Sequence, residues 1–225
     1  MSPAPVITID GPAGSGKGTV SRLLAERLGY GLLESGAIYR LLALAARRRN
    51  VKLDDSSGLA ALAHELDVEF GPVEGEIFLD GGDVARELHT PACADGASRI
   101  AALPDVRAAL LQRQQAFRQP PGLVAEGRDM GTVVFPDAQL KIFLTASLEE
   151  RAERRYKQLK QQGIGARVRE LFAELAARDK RDESRSVAPL KPAEDAIVLD
   201  SSSVTVEDVL ARVLSHADRR LDLHL

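Results

Sequence analysis

The 225-residue sequence has one cysteine, no tryptophan and no long apolar run. A lone Cys93 cannot form an internal disulfide, which excludes a disulfide scaffold and fits a reducing compartment. No apolar stretch approaches the ~20 residues that a membrane span requires. The N-terminus MSPAPVITID lacks the basic start and apolar centre of a signal peptide. Charge of one sign is also missing: 30 Lys and Arg face 33 Asp and Glu, a net charge of −3. That balance argues against a broad basic face for nucleic acid. No internal repeat or low-complexity tract suggests a solenoid or a disordered array. These absences lead to the expectation of a cytoplasmic, soluble protein with neither membrane nor nucleic acid as partner. Surface composition suggests nothing larger than a monomer.

What is present is 44% hydrophobic and 28% charged residues, ordinary globular composition with enough apolar material for a sizeable core. Short apolar runs alternate with helical patterns. PVITID (5–10), YGLLES (30–35), GLVAEG (122–127), LKIFLTA (140–146) and AIVLDSS (196–202) read as five buried strands. Val20, Leu23, Leu24 and Leu28 share one helical face, and Gly29 is placed to end that helix. Ile38, Leu41, Leu42 and Ala45 mark a second helix, and Val206, Val209, Leu210 and Val213 a closing one. Ser147 and Glu150 form a capping-box start to a highly charged helix. Strands separated by helices imply right-handed crossovers and a parallel sheet covered on both faces. Residues 51–98 depart from this pattern: a short helix (Leu59, Leu62, Leu66), VEF (68–70), a Gly-Pro turn and EIFLDG (76–81) suggest an inserted antiparallel hairpin. Residues 151–185 are dense in charge and poor in strand formers.

The chemistry concentrates in GPAGSGKGT, residues 11–19. It follows a strand and opens a helix, the context that a phosphate-binding loop needs. Glycines let the backbone wrap closely and aim several N–H groups inward, and the helix N-terminus adds partial positive charge. Lys17 supplies a point charge for the terminal phosphates of a nucleoside triphosphate. Gly11, Pro12, Ala13, Gly14, Ser15, Gly16, Lys17, Gly18 and Thr19 are therefore the expected ATP contacts. Gly18 stands where a magnesium-ligating hydroxyl would be expected, so Mg²⁺ is expected mainly through phosphates and water, with no protein metal site. The alternative, a tight structural turn, does not account for the lysine and the spacing together.

Three further segments stand at the ends of expected strands, where open α/β sheets hold ligands. In Ser35-Gly36-Ala37-Ile38-Tyr39-Arg40, Ser35 is placed to cap a helix and Arg40 to bind a phosphate. Glu126-Gly127-Arg128-Asp129-Met130-Gly131 puts an Arg-Asp pair after a buried strand. In ARDKRDESR (177–185), Arg178, Arg181 and Arg185 share one helical face at spacings of three and four. Taken singly, each has a plainer reading: a solvated Arg40, an internal Arg128–Asp129 ion pair, a solvated charged helix.

With ITIDGPAGSGKGT, LLESGAIYR, LPDVRAALLQRQQAF, EGRDMGTVVFPDA and ARDKRD–SR–VAPL together, the whole chain resembles the bacterial cytidylate kinases, members of the P-loop nucleoside monophosphate kinase group. Glu34 replaces that family's usual Asp before Ser-Gly-Ala. The resemblance implies transfer of a phosphoryl group from ATP, with Mg²⁺, to CMP or dCMP. It implies an α/β fold with a five-stranded parallel sheet: a core of residues 1–50, 99–150 and 186–225, an inserted monophosphate-binding domain at 51–98 and a helical lid at 151–185. It implies that Ser35, Arg40 and Arg128 hold the acceptor phosphate and that Ser98, Arg107 and Asp129 read cytosine. Arg178, Asp182 and Arg185 would meet the ribose and phosphates, with Lys17, Arg128, Arg178 and Arg185 acting in transfer. Arg151, Arg154 and Arg155 are lid candidates for ATP, Arg154 foremost. A P-loop kinase for UMP, AMP or shikimate is the rival within the class. A nucleotide-dependent switch is the rival outside it, and the Asn-Lys-x-Asp guanine motif of such switches is absent.

Overall fold

The computed structural model describes residues 3–70, 76–88, 90–161, 165 and 167–222. In chain order the elements are β1 (Val6–Asp10), α1 (Lys17–Leu28), β2 (Gly31–Glu34), α2 (Ser35–Arg48), α3 (Ser56–His64), β3 (Val68–Phe70), β4 (Ile77–Leu79), β5 (Gly82–Asp83), α4 (Ala85–Leu88), α5 (Pro91–Ile100) and α6 (Pro104–Gln115). There follow β6 (Leu123–Gly127), a π-helical turn (Met130–Val134), β7 (Leu140–Thr145), α7 (Leu148–Gln161), α8 (Val168–Glu183), β8 (Ile197–Asp200) and α9 (Val206–Leu221). The chain divides into two compact units, residues 1–33 with 115–225, and residues 34–114.

The first unit is built on a five-stranded parallel sheet in the order β2-β6-β1-β7-β8. β1 lies between β6 and β7, and all five of its residues are buried. That burial explains why VITID shows no polar alternation: a strand covered on both faces has no solvent side. Ile7, Ile9, Val124, Ile142 and Leu144 from the sheet pack with Val20 and Leu24 of α1 and with Val209, Val213 and Ala217 of α9. α1 ends where expected. Gly29 adopts φ 64°, and its N–H closes on the carbonyls of Ala25 and Glu26. α7 begins with the Ser147 hydroxyl accepting the Glu150 N–H, and α9 with a full Thr205–Asp208 capping box.

The second unit centres on α2, which packs against α3, α4 and α5. At its contact with α5, a Cβ on Gly96 would stand 3.3 Å from the Ala43 methyl, so small residues set the helix spacing. β3, β4 and β5 form a three-stranded antiparallel sheet. The Gly-Pro turn expected between VEF and EIFLDG lies outside the described residues. The compact unit is wider at both ends than the 51–98 segment, because α2 and all of α6 but its last residue belong to the same packed body. Among the described residues no helix is long and apolar enough to cross a membrane.

Candidate active site

The parallel register sets the carboxyl ends of β1 and β6 side by side, pairing Ile9 with Glu126 and Asp10 with Gly127. Ligands of open parallel sheets bind at such ends. From β1 the chain turns at Gly11, where a Cβ would come within 2.0 Å of the Leu144 carbonyl oxygen. Only glycine can pass β7 so closely. Gly16, at φ 88°, caps α1, and Lys17 is the first helical residue.

Lys17 is 6% exposed. Its Nζ donates to the Pro12 carbonyl at 3.1 Å and lies 3.5 Å from a Glu126 carboxylate oxygen. Burial pushes its pKa from the ordinary 10.5 down to about 7; Arg128 and Arg178 add to the fall, and Glu126 opposes it. The ammonium is therefore short of negative charge, and an anion seated in the loop would restore it.

The loop carbonyls are held from behind. Arg151 of α7, itself buried, donates to the carbonyls of Ala13 and Ala146 at 3.1 Å and pairs with Asp179 of α8 at 2.6 Å. Arg154 donates to the Ser15 carbonyl at 3.4 Å and to the Ser201 hydroxyl at 3.1 Å. The Ser201 hydroxyl in turn donates to the Ser15 carbonyl at 2.9 Å. With carbonyls satisfied outward, the loop N–H groups are left to face a ligand. Arg154, expected at ATP, is in this structure committed to Ser15 and Ser201. Arg155 donates to Gln158 at 2.7 Å.

Three guanidinium groups surround one carboxylate. Asp182 is fully buried; Arg128 Nε lies 3.0 Å from it, Arg178 Nε 3.9 Å, and Arg185 also pairs with it. Burial alone pushes the Asp182 pKa up, but Arg128, Arg185 and Arg178 outweigh it and hold it below the usual carboxylate value. Three guanidinium groups gathered around one carboxylate suit an anionic ligand. Beside the Arg128–Asp129 pair considered from sequence, Arg128 thus pairs with Asp182. α8 ends at Glu183 with Ser184 as its cap, so Arg185 lies past the helix and does not continue its face.

In the second unit, Ser35 is the first residue of α2 and 4% exposed. Glu34 occupies the cap position, so the reading of Ser35 as a cap is corrected. Arg40 is half-buried, and its carbonyl accepts from the Cys93 thiol at 3.3 Å. Ser98 on α5 is 2% exposed. Arg107 on α6 is buried, donates to the Ala101 carbonyl at 3.2 Å and sits 6.0 Å over the Tyr39 ring. The structure therefore gathers Lys17, Arg128, Arg178, Asp182 and Arg185 in one unit, with Asp129 buried in the turn beside them. Ser35, Arg40, Ser98 and Arg107 belong to the other. Asp10, Glu126, Asp179 and Ser201 are not singled out by sequence reasoning, and Arg151, expected as a candidate for ATP, instead holds the Ala13 and Ala146 carbonyls. An acidic residue at the end of a buried apolar run was the available signal for Asp10 and Glu126.

A parallel sheet whose central strand feeds a glycine loop and a lysine-headed helix defines a P-loop nucleotide-binding protein of α/β class. A family model described as cytidylate kinase matches residues 7–219. Proteins named cytidylate kinase from Pasteurella multocida, Aeromonas salmonicida and Stutzerimonas stutzeri are 56%, 58% and 59% identical. Those alignments cover 99%, 97% and 98% of this chain and 99%, 96% and 99% of the relatives. The chain belongs to the cytidylate kinase family.

Proposed function

We propose that this chain transfers the γ-phosphoryl group of ATP to CMP or dCMP, giving ADP and CDP or dCDP. The observation that carries the reading is the cation cluster of the first unit: Lys17 lies beside Glu126, and Arg128, Arg178 and Arg185 converge on Asp182. Phosphoryl transfer needs positioning and charge stabilisation more than covalent help. The loop N–H groups and Lys17 hold the ATP phosphates. Arg128, Arg178 and Arg185 neutralise charge between donor and acceptor. The nucleophile is a phosphate oxygen of CMP, already largely ionised, so no general base is required.

Candidates for the acceptor phosphate are Arg128 in the first unit and Ser35 and Arg40 in the second. Cytosine offers an amino donor beside ring-nitrogen and carbonyl acceptors, groups that a carboxylate, a hydroxyl and a guanidinium complement; the candidates are Asp129 in the first unit and Ser98 and Arg107 in the second. Uracil reverses two of those polarities and would leave buried groups unpaired, the penalty by which such a site discriminates. Asp182 meets the ribose. The 151–185 segment acts as a lid that excludes water from the transferring group. Mg²⁺ arrives with ATP. Among the described residues no group of three or more His, Cys, Asp or Glu side chains is placed to hold a metal, and Glu126 and Asp10 are already engaged. The donor set suits an ion carried by phosphates and water.

The test is ADP release with a panel of acceptors. CMP and dCMP should exceed UMP, AMP and shikimate by at least about tenfold in kcat/KM, a margin of ~1.4 kcal/mol. Preference for any of the other three overturns the acceptor assignment, and ATP turnover independent of acceptor overturns the kinase reading.

A further inference from the structure

Asp10 closes β1 and directly precedes the phosphate loop. It is 5% exposed, and among the described residues no cation lies within ion-pair distance of it. Its two carboxylate oxygens accept one N–H each: Met130 on Oδ1 and Gly131 on Oδ2, both at 2.8 Å. These are the first two residues of the π-helical turn, 120 and 121 positions further along the chain. The turn leans on β1 elsewhere too. A Cβ on Gly131 would stand 2.8 Å from the Thr8 hydroxyl, and Met130 and Val134 are 1% and 2% exposed. Its own start is drawn tight by the Asp129 carbonyl, which accepts from the N–H groups of Val133 and Val134.

A buried carboxylate without a cation is costly. Burial raises Asp10 to about 7, against the pull of the Gly131 and Met130 N–H groups; the charged groups facing it are Asp129, which raises it further, and Arg128, which lowers it. A neutral residue would be more stable here unless the arrangement of acceptors matters. It does: only a carboxylate offers two oxygens to two consecutive N–H groups. An asparagine of equal size would accept one and oppose the other with its own NH₂.

We propose that Asp10 is a positioning residue, locking the turn that carries Arg128 and Asp129 onto the strand that feeds the phosphate loop. One carboxylate thereby sets the acceptor-binding side chains in fixed register with the ATP-binding backbone. Small displacements of such side chains cost orders of magnitude in rate. The proposal rests on the kinase reading above.

The test is Asp10→Asn. With CMP, kcat/KM should fall about 30- to 100-fold while ATP affinity, measured by calorimetry without acceptor, changes less than about threefold. The Met130 and Gly131 amide resonances should move together with pH in the wild type as Asp10 titrates, and should shift and lose that titration in the variant. A fall shared equally by ATP affinity and CMP turnover makes Asp10 merely structural and overturns the proposal. So do unchanged amide shifts in a folded variant. If D10N does not fold, the wild-type titration decides alone: amides of Met130 and Gly131 that fail to titrate together overturn the lock. If the wild type prefers another acceptor, the reading of function fails, and the same ratio measured with that acceptor still tests Asp10.

Discussion

The Lys17 ammonium lies 3.5 Å from the Glu126 carboxylate, and both side chains are largely buried. The pair holds the cation in place at the mouth of the phosphate loop without satisfying it fully. Burial has already lowered Lys17 to about 7. Between pH 7 and 10.5 the folded protein binds fewer protons at this site than the unfolded chain, so stability rises with pH across that window.

Lys17→Met should therefore do two opposite things. Turnover should fall at least about 1,000-fold, because the loop loses its point charge toward the transferring phosphate. The buried-charge penalty should also vanish, so the melting temperature relative to wild type should be higher at pH 6 than at pH 10. Thermal unfolding followed by circular dichroism at the two pH values checks the sign. Near-wild-type turnover, or a Tm difference that does not change with pH, contradicts it.

Arg151→Ala removes donors from two carbonyls and leaves Asp179 without its partner. The expected loss of stability is about 3 kcal/mol, the usual range for breaking a buried pair. More specifically, the loop should loosen and KM for ATP should rise about tenfold, with KM for CMP affected less. An unchanged KM for ATP in a folded variant would mean that the loop keeps its shape without the guanidinium.

Asp182→Asn removes the carboxylate on which Arg128, Arg178 and Arg185 converge. Turnover should drop about 100-fold. Asp182 is held below the ordinary carboxylate value, so its contribution to stability is present above pH 4 and is lost as pH falls through its folded pKa. The variant should show a shallower loss of stability between neutral and acid pH than the wild type, measurable by urea unfolding across that range.

Asp129→Ala should damage turnover with CMP by at least about tenfold and leave ATP affinity within about threefold. Steady-state kinetics with each substrate varied separately provide the check. Equal loss on both sides would make Asp129 a support of the turn, where its carbonyl already accepts from Val133 and Val134.

The frame of the molecule was legible because its signals are local. VITID needed no partner to look like a doubly covered strand, and Gly29 ended α1 by its own conformational freedom. GPAGSGKGT carried its meaning in spacing. What escaped were relationships closed over long distances. Asp10 meets N–H groups 120 residues away, and backbone donors leave no mark in the sequence that supplies them. Arg151 and Arg154 were expected as candidates for ATP, and the carbonyls of the loop that accept from them left no mark in the sequence. The Arg178–Arg185 spacing suggested one helical face, yet α8 stops at Glu183 and Arg185 reaches Asp182 from beyond its end. Ser35 looked like a cap because hydroxyls favour that position, but Glu34 stands there and Ser35 turns inward.

The carbonyls behind the phosphate loop are held by Arg151, Arg154 and Ser201, and β1 is flanked by strands that begin at Leu123 and Leu140. The loop is encoded within about the first twelfth of the chain, yet its supports come much later, at residues 151, 154 and 201. A nascent chain emerging from the ribosome thus carries a complete phosphate-binding sequence for most of its synthesis without the scaffold that shapes it. ATP capture should switch on only when the final strand has been released, which makes nucleotide binding a late checkpoint of the protein's own assembly.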